Sequence, residues 1–86
     1  MTEERRRVAA DLRTALRLLV DRPEQVRVEA VDREGGAGAI LEVRVAPADV
    51  GKIIGREGRT IDALRALVSA RSAAEGERYD FELIET

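Results

Sequence analysis

The stretch Ile53-Ile54-Gly55-Arg56-Glu57-Gly58-Arg59-Thr60-Ile61 does most to limit what this chain can become. Two glycines three positions apart, closely flanked by isoleucines, specify a four-residue turn between two apolar segments. Glycine has no Cβ, so it tolerates positive φ, lets another backbone approach and leaves the peptide groups of the turn bare. If Gly58 to Ile61 also opens a helix, the unpaired amides of its first turn and the positive end of its dipole point toward the loop. A phosphate can sit at such a place. The tetrapeptide alone is not specific, since at ordinary glycine usage it arises by chance in roughly one chain in three of this length. A glycine turn between packed helices is also common without any ligand. Its setting carries the information.

Eighty-six residues, 44% of them hydrophobic, make one domain with a modest core. The chain has no cysteine and no histidine. Disulfides, thiolate or imidazole metal sites and the usual nucleophile and base pairs are therefore excluded, and the expected function is neither catalysis nor cofactor or metal chemistry. No apolar run approaches the roughly 18 to 20 residues of a membrane span, and the N-terminus is charged at once, so a cytoplasmic location is expected.

The net charge of −2 and pI near 5.2 argue against coating nucleic acid by charge alone. Its distribution is uneven. Between residues 44 and 61, Arg44, Lys52, Arg56 and Arg59 stand against Asp49 and Glu57, a local surplus of two positive charges. Between 75 and 86, only Arg78 stands against Glu75, Glu77, Asp80, Glu82 and Glu85. Positive charge thus gathers at the glycine turn, and the only lysine, Lys52, lies three positions before it.

From Thr2 to about Val20, Val8, Ala9, Leu12, Ala15, Leu16, Leu19 and Val20 recur at spacings of three and four, the pattern of an amphipathic helix. Thr2 suits its N-cap, and Pro23 prevents continuation past Arg22. The Arg5-Arg6-Arg7 run, with Glu3, Glu4 and Asp11 nearby, reads as a solvated helix face rather than a nucleic-acid arm. Val26, Val28 and Ala30 alternate with charged residues, and after a glycine-rich loop over 32–38 so do Ala39, Leu41, Val43 and Val45. This predicts a β-hairpin with a flexible tip and no phosphate-loop motif.

Pro47 opens a short helix to about Ile54, with Val50, Ile53 and Ile54 inward. After the turn a longer helix runs from about Arg59 to Glu75, stopped by Gly76, with Ile61, Leu64, Leu67 and Val68 toward a core. Ala63, Ala66, Ala70 and Ala73 form a second, small-residue stripe that admits either the N-terminal helix or a partner chain. Tyr79, Phe81 and Leu83 make a last strand with acids between them, and these aromatics read as core. The two-helix crossover makes the second and third strands parallel, and the hairpin makes the first antiparallel to the second. The expected fold class is α+β, an α-β-β-α-α-β chain whose three-stranded mixed sheet is covered on one face by three helices.

An apolar pair, Gly55-x-x-Gly58 and Ile61 between two helices resembles the core motif of the KH RNA-binding domain, and the element order resembles its type II, prokaryotic form. The likeness covers nearly all of residues 1–86 as a single domain. With Val-Ala-Pro-Ala-Asp-Val-Gly-Lys-Ile-Ile-Gly leading into the turn, the chain is most similar to the small bacterial KhpA (YlqC-like) family. The resemblance implies a narrow groove for about four single-stranded RNA nucleotides. Gly55, Arg56, Glu57 and Gly58 would meet the phosphates, flanked by Lys52 and Arg59. Ile54 and Ile61 would shape an apolar wall, and Val43, Arg44 and Val45 would border the bases, although plain core packing explains these apolar residues equally well. Glu57 places a negative charge where phosphate approaches and so implies weak, salt-sensitive binding.

The family further implies an RNA chaperone or post-transcriptional regulator linked to cell elongation, homodimers, and a heteromer with a larger KhpB (EloR or Jag) type protein. The competing readings are a dimerisation module with little RNA binding of its own, a ribosome-maturation factor similar to ribosome-binding factor A, which lacks this turn, and a helix-turn-helix DNA binder, whose second helix would present mostly alanines to base edges.

Overall fold

The computed structural model describes residues 3–85, so the proposed cap at Thr2 lies outside the described residues. The first helix, α1 (Glu3–Arg17), buries Val8, Leu12 and Leu16, one residue per turn. It stops three residues earlier than the apolar pattern does. The amides of Leu18 and Leu19 turn back to the carbonyls of Ala15 and Leu16 at 3.1 and 3.0 Å, which tightens the last turn, and Leu18 is left 84% exposed. The chain then bends because the N–H groups of Asp21 and Arg22 are held by the side chain of Asp49, 28 and 27 residues away. A single turn of 3-10 helix at Pro23–Gln25 leads into the sheet.

Strand β1 (Arg27–Asp32) pairs antiparallel with β2 (Ala39–Arg44), and β2 pairs parallel with β3 (Tyr79–Leu83), in the order β1-β2-β3. This is the mixed sheet expected from the crossover. The inner face of β2 presents Ala39, Leu41 and Val43, all fully buried, and β3 adds Tyr79 and Phe81. These side chains form one cluster with the apolar residues of α1, with Ile53 of α2 (Val50–Ile54) and with Leu64 and Val68 of α3 (Arg59–Glu75). All three helices therefore bury against the same face, where removal of apolar surface from water supplies the main driving force.

Period-two alternation sends the intervening residues to the other face. The register aligns Glu29 with Glu42 and Glu42 with Glu82, so three glutamates stand in a row across the sheet. Among the described residues only Arg44, whose Nη1 lies 3.8 Å from Glu42, answers this row with an ion pair. The hairpin tip is fastened at its base. Arg33 N–H donates to the Gly38 carbonyl at 3.0 Å, Ala39 N–H donates to the Arg78 carbonyl at 2.8 Å, and Arg33 pairs with Asp80 of β3.

Helix α3 joins β3 through a polar knot. Tyr79 donates its hydroxyl to Glu75 Oε1 at 2.6 Å, Arg71 pairs with Glu75, and Arg71 Nη1 reaches Asp11 of α1 at 2.9 Å. The Tyr79 hydrogen bond first, and then the Arg71 one, hold the Glu75 carboxyl below its ordinary range. Burial pushes the Tyr79 phenol up, and the bond to Glu75 adds to the shift.

Asp11 and Arg71 of this knot also border a groove between α1 and α3. Its volume is about 420 Å3, and it is lined chiefly by Val8, Leu12, Leu64, Leu67 and Val68. Leu67, expected in the core, is 66% exposed at the groove between α1 and α3. Ala63, Ala66, Ala70 and Ala73 are exposed as well, so the N-terminal helix does not cover the alanine stripe.

Candidate nucleic-acid interface

Two adjoining elements of helix build the turn. A single 3-10 turn at Pro47–Asp49 passes directly into α2, with proline at its first position where a missing N–H costs nothing. Ile53 anchors α2 in the core, and Gly55 ends it by donating its N–H to the Gly51 carbonyl at 2.9 Å. Gly55 takes φ 76° and ψ 174°, a conformation essentially restricted to glycine. Gly58 donates to the Gly55 carbonyl at 3.1 Å, closing the four-residue turn, and at φ 74° and ψ 13° it forms the N-terminal boundary of α3. No side chain caps α3 there.

Glu57 is the only non-glycine residue at positive φ among those described, at φ 56° and ψ 25°. The left-handed region costs such a residue about 1 kcal/mol or more. Arg59 partly answers its charge, with Nη2 3.5 Å from Glu57 Oε2. Arg56 is exposed and forms no ion pair with another described residue. Among the described residues no loop or cap hydrogen bond engages the N–H of Arg56 or Glu57. The turn thus offers bare amides, an unpaired guanidinium and the first turn of a 17-residue helix.

The other expected contacts divide. Lys52 projects from α2 and lies 3.1 Å from Asp21 Oδ2, so its charge is shared with the chain after α1. Ile54 and Ile61 are half-buried, and Ile61 also packs on the core. Val45 lines a hollow of about 450 Å3 with Pro47, Val50, Ile84 and Glu85, between the start of α2 and the ends of β2 and β3. Val43 does not reach it. Its side chain is 0% exposed within the core, and alternation turns Arg44 to the glutamate-bearing face. Pro47 and Ile84 are additions from the structure. Ile84 follows the alternating strand pattern by one residue, and the sequence gives no reason to set it beside Val50.

Asp49, 1% exposed, is the sole buried charged residue among those described. It accepts the Asp21 N–H at 3.2 Å and the Arg22 N–H at 3.0 Å. The start of the helix carrying the glycine turn is thereby clasped to the chain after α1. In sequence Asp49 shows only as an acid beside a proline turn. No group of three or more acidic, histidine or cysteine side chains among the described residues could hold a metal ion.

The profile described as the KH domain of KhpA and KhpB matches residues 9–83. The chain belongs to the KhpA/KhpB KH-domain family. Its helix order and mixed sheet are those of the type II KH fold. It is similar to the RNA-binding protein KhpA of Treponema pallidum, with 49% identity over 69 residues, 80% of this chain and 84% of that one. It is 46% identical to the RNA-binding protein KhpA of Chlamydia pneumoniae over 67 residues, covering 78% and 83% of the two chains. It is 41% identical to the RNA-binding protein KhpA of Clostridium acetobutylicum over 73 residues, covering 85% and 95%. Among the described residues no helix is long and apolar enough to cross a membrane.

Proposed function

We propose that this KH domain binds single-stranded RNA at the turn Gly55-Arg56-Glu57-Gly58, with backbone phosphates on the free amides and Arg56, and bases over the hollow of Val45, Val50 and Ile84. The observation that carries the reading is the unengaged pair of amides at Arg56 and Glu57 beside the uncapped start of α3. Membership of a family whose relatives are named as RNA-binding supports it. Amide donors give affinity without a strongly basic surface, which suits a chain of net charge −2. The function is binding, not catalysis, and in the cell it is that of a cytoplasmic RNA chaperone or regulator serving cell elongation.

The test is fluorescence anisotropy of labelled oligouridylate with wild-type protein and Arg56→Asp/Glu57→Asp at several salt concentrations. Aspartate tolerates the left-handed conformation of position 57, so the loop survives while its guanidinium is lost. Binding that weakens with salt and disappears in the variant supports the site. Equal binding by both proteins rejects it.

The exposed Leu67, the alanine stripe and the open α1/α3 groove favour a second role for the same domain, association through α3. Small residues let two helices approach closely, and an apolar groove leaves surface to bury. Its occupant is a second copy of the chain or the related domain of a KhpB-type protein.

A further inference from the structure

The exposed arginines of α1 are not used by anything described above. Arg6, Arg13 and Arg17 stand at i, i+7 and i+11, which puts them on one stripe of the helix, about 10 Å and 6 Å apart along its axis. All three are exposed, and none forms an ion pair with another described residue. Their neighbours behave differently, since Arg5 is bound to Asp32 and Arg7 lies 3.5 Å from Glu3. The charged run that reads as one solvated face is thus split into residues that hold the fold together and residues with free guanidinium groups.

A shallow groove of about 510 Å3 runs beside this stripe, between α1 and β1. Arg6 and Arg13 line it, and Ala9, Ala10, Val28 and Ala30 form a half-buried apolar floor. Glu29 is the one acid at its margin, and alternation sets its side chain on the opposite face from Val28 and Ala30. Strand β1 is a sheet edge, so part of its backbone N–H and C=O groups are unpaired along the groove. The Arg17 end adjoins the glycine turn's own helix, because Asp49 grips Asp21 and Arg22 and Lys52 reaches Asp21. The Arg6 end lies near the far end of β1, since Arg5 pairs with Asp32.

We infer that a single-stranded RNA longer than the few nucleotides held at the glycine turn continues along α1, its phosphates on Arg6, Arg13 and Arg17. Guanidinium forks match phosphate oxygens, and three of them without acidic partners make a local run of positive charge in a net acidic protein. The inference rests on the reading of the glycine turn as an RNA site. It extends that site from a loop to a path along one side of the molecule.

The experiment compares labelled oligouridylates of 4 and 16 nucleotides in a salt titration. Neutralising three phosphates of a single strand steepens the slope of log K against log salt by about 2 and tightens binding roughly 50-fold at 0.15 M salt. Arg6→Gln/Arg13→Gln/Arg17→Gln should lose this on the 16-mer and leave the 4-mer unchanged. Arg6→Lys/Arg13→Lys/Arg17→Lys should keep most of the slope, which separates charge from fold. Arg56→Asp/Glu57→Asp should abolish 4-mer binding. An unchanged 16-mer slope in the glutamine variant overturns the path while the turn stands. Loss of the 4-mer in that variant, with the fold intact by circular dichroism, also overturns it, since the stripe would then belong to the short site. Unimpaired 16-mer binding accompanied by loss of polyglutamate binding assigns the stripe to an acidic protein and rejects the proposal. A 4-mer that binds the loop variant as tightly as wild type removes the glycine-turn reading instead.

Discussion

Gly55 sits so close to Thr60 that a Cβ on the glycine would fall 2.2 Å from the threonine Oγ1. The backbone of the turn and the first turn of α3 are therefore locked together by absence of a side chain. Gly58 has open space around it and pays only for its left-handed backbone. Gly55→Ala should lower stability by about 3 kcal/mol and Gly58→Ala by about 1 kcal/mol, read from urea denaturation. The reverse order would contradict the packing described.

Asp49 is the clasp between the start of α2 and the chain after α1. Asp49→Ala strands two amides and should cost about 2 to 4 kcal/mol. Asp21→Ala loses only an exposed pair with Lys52 and should cost less than about 0.5 kcal/mol. Thermal melts of the two variants, analysed alongside wild type, check the contrast.

Glu57 opposes the turn in two ways, by backbone strain and by charge. Glu57→Gly should raise stability by up to about 1 kcal/mol and tighten RNA binding. Glu57→Gln keeps the strain and removes the charge, so it should tighten RNA binding without changing stability. If the glutamine variant binds RNA no better than wild type, the carboxylate does not oppose the phosphate.

The knot of Arg71, Glu75 and Tyr79 predicts losses of stability at both ends of the pH scale. Glu75 titrates below its ordinary 4.5 when folded, so its contribution is present above that value and fades as pH falls through the depressed one. Tyr79 titrates above its ordinary 10.0, so its contribution is complete below pH 10 and fades as pH rises further. Tyr79→Phe should flatten both limbs of a stability-against-pH curve. A variant with limbs as steep as wild type would show that other groups cause them.

Leu67→Asp tests association through α3. The residue is 66% exposed, so the isolated fold should change by less than about 0.5 kcal/mol. Sedimentation velocity should show smaller species than wild type at the same concentration. A wild type that is monomeric at high concentration would remove self-association as a role.

Much of this was legible in the sequence for identifiable reasons. Helix α3 and strand β3 begin and end where Gly58, Gly76 and the alternation of Tyr79, Phe81 and Leu83 place them. The end of α1 was not legible, because Leu19 and Val20 continue the apolar period while a carboxylate 28 residues away takes the next amides. Leu67 misled for a related reason. Periodicity gives the face of a helix, and only the tertiary placement of its neighbours decides whether that face is covered. At the site, both glycines declared themselves, but nothing local reveals that Glu57 takes the positive φ or that Lys52 spends its charge on Asp21.

The row of Glu29, Glu42 and Glu82 gives the molecule a front and a back. A polyanion drifting toward the sheet is repelled before contact, and one drifting toward the helices is not. The open face of the sheet is therefore the less favourable side for a polyanion to approach. A chain carrying more acids than bases can still receive nucleic acid, provided that its acids are used to say where the strand must not lie.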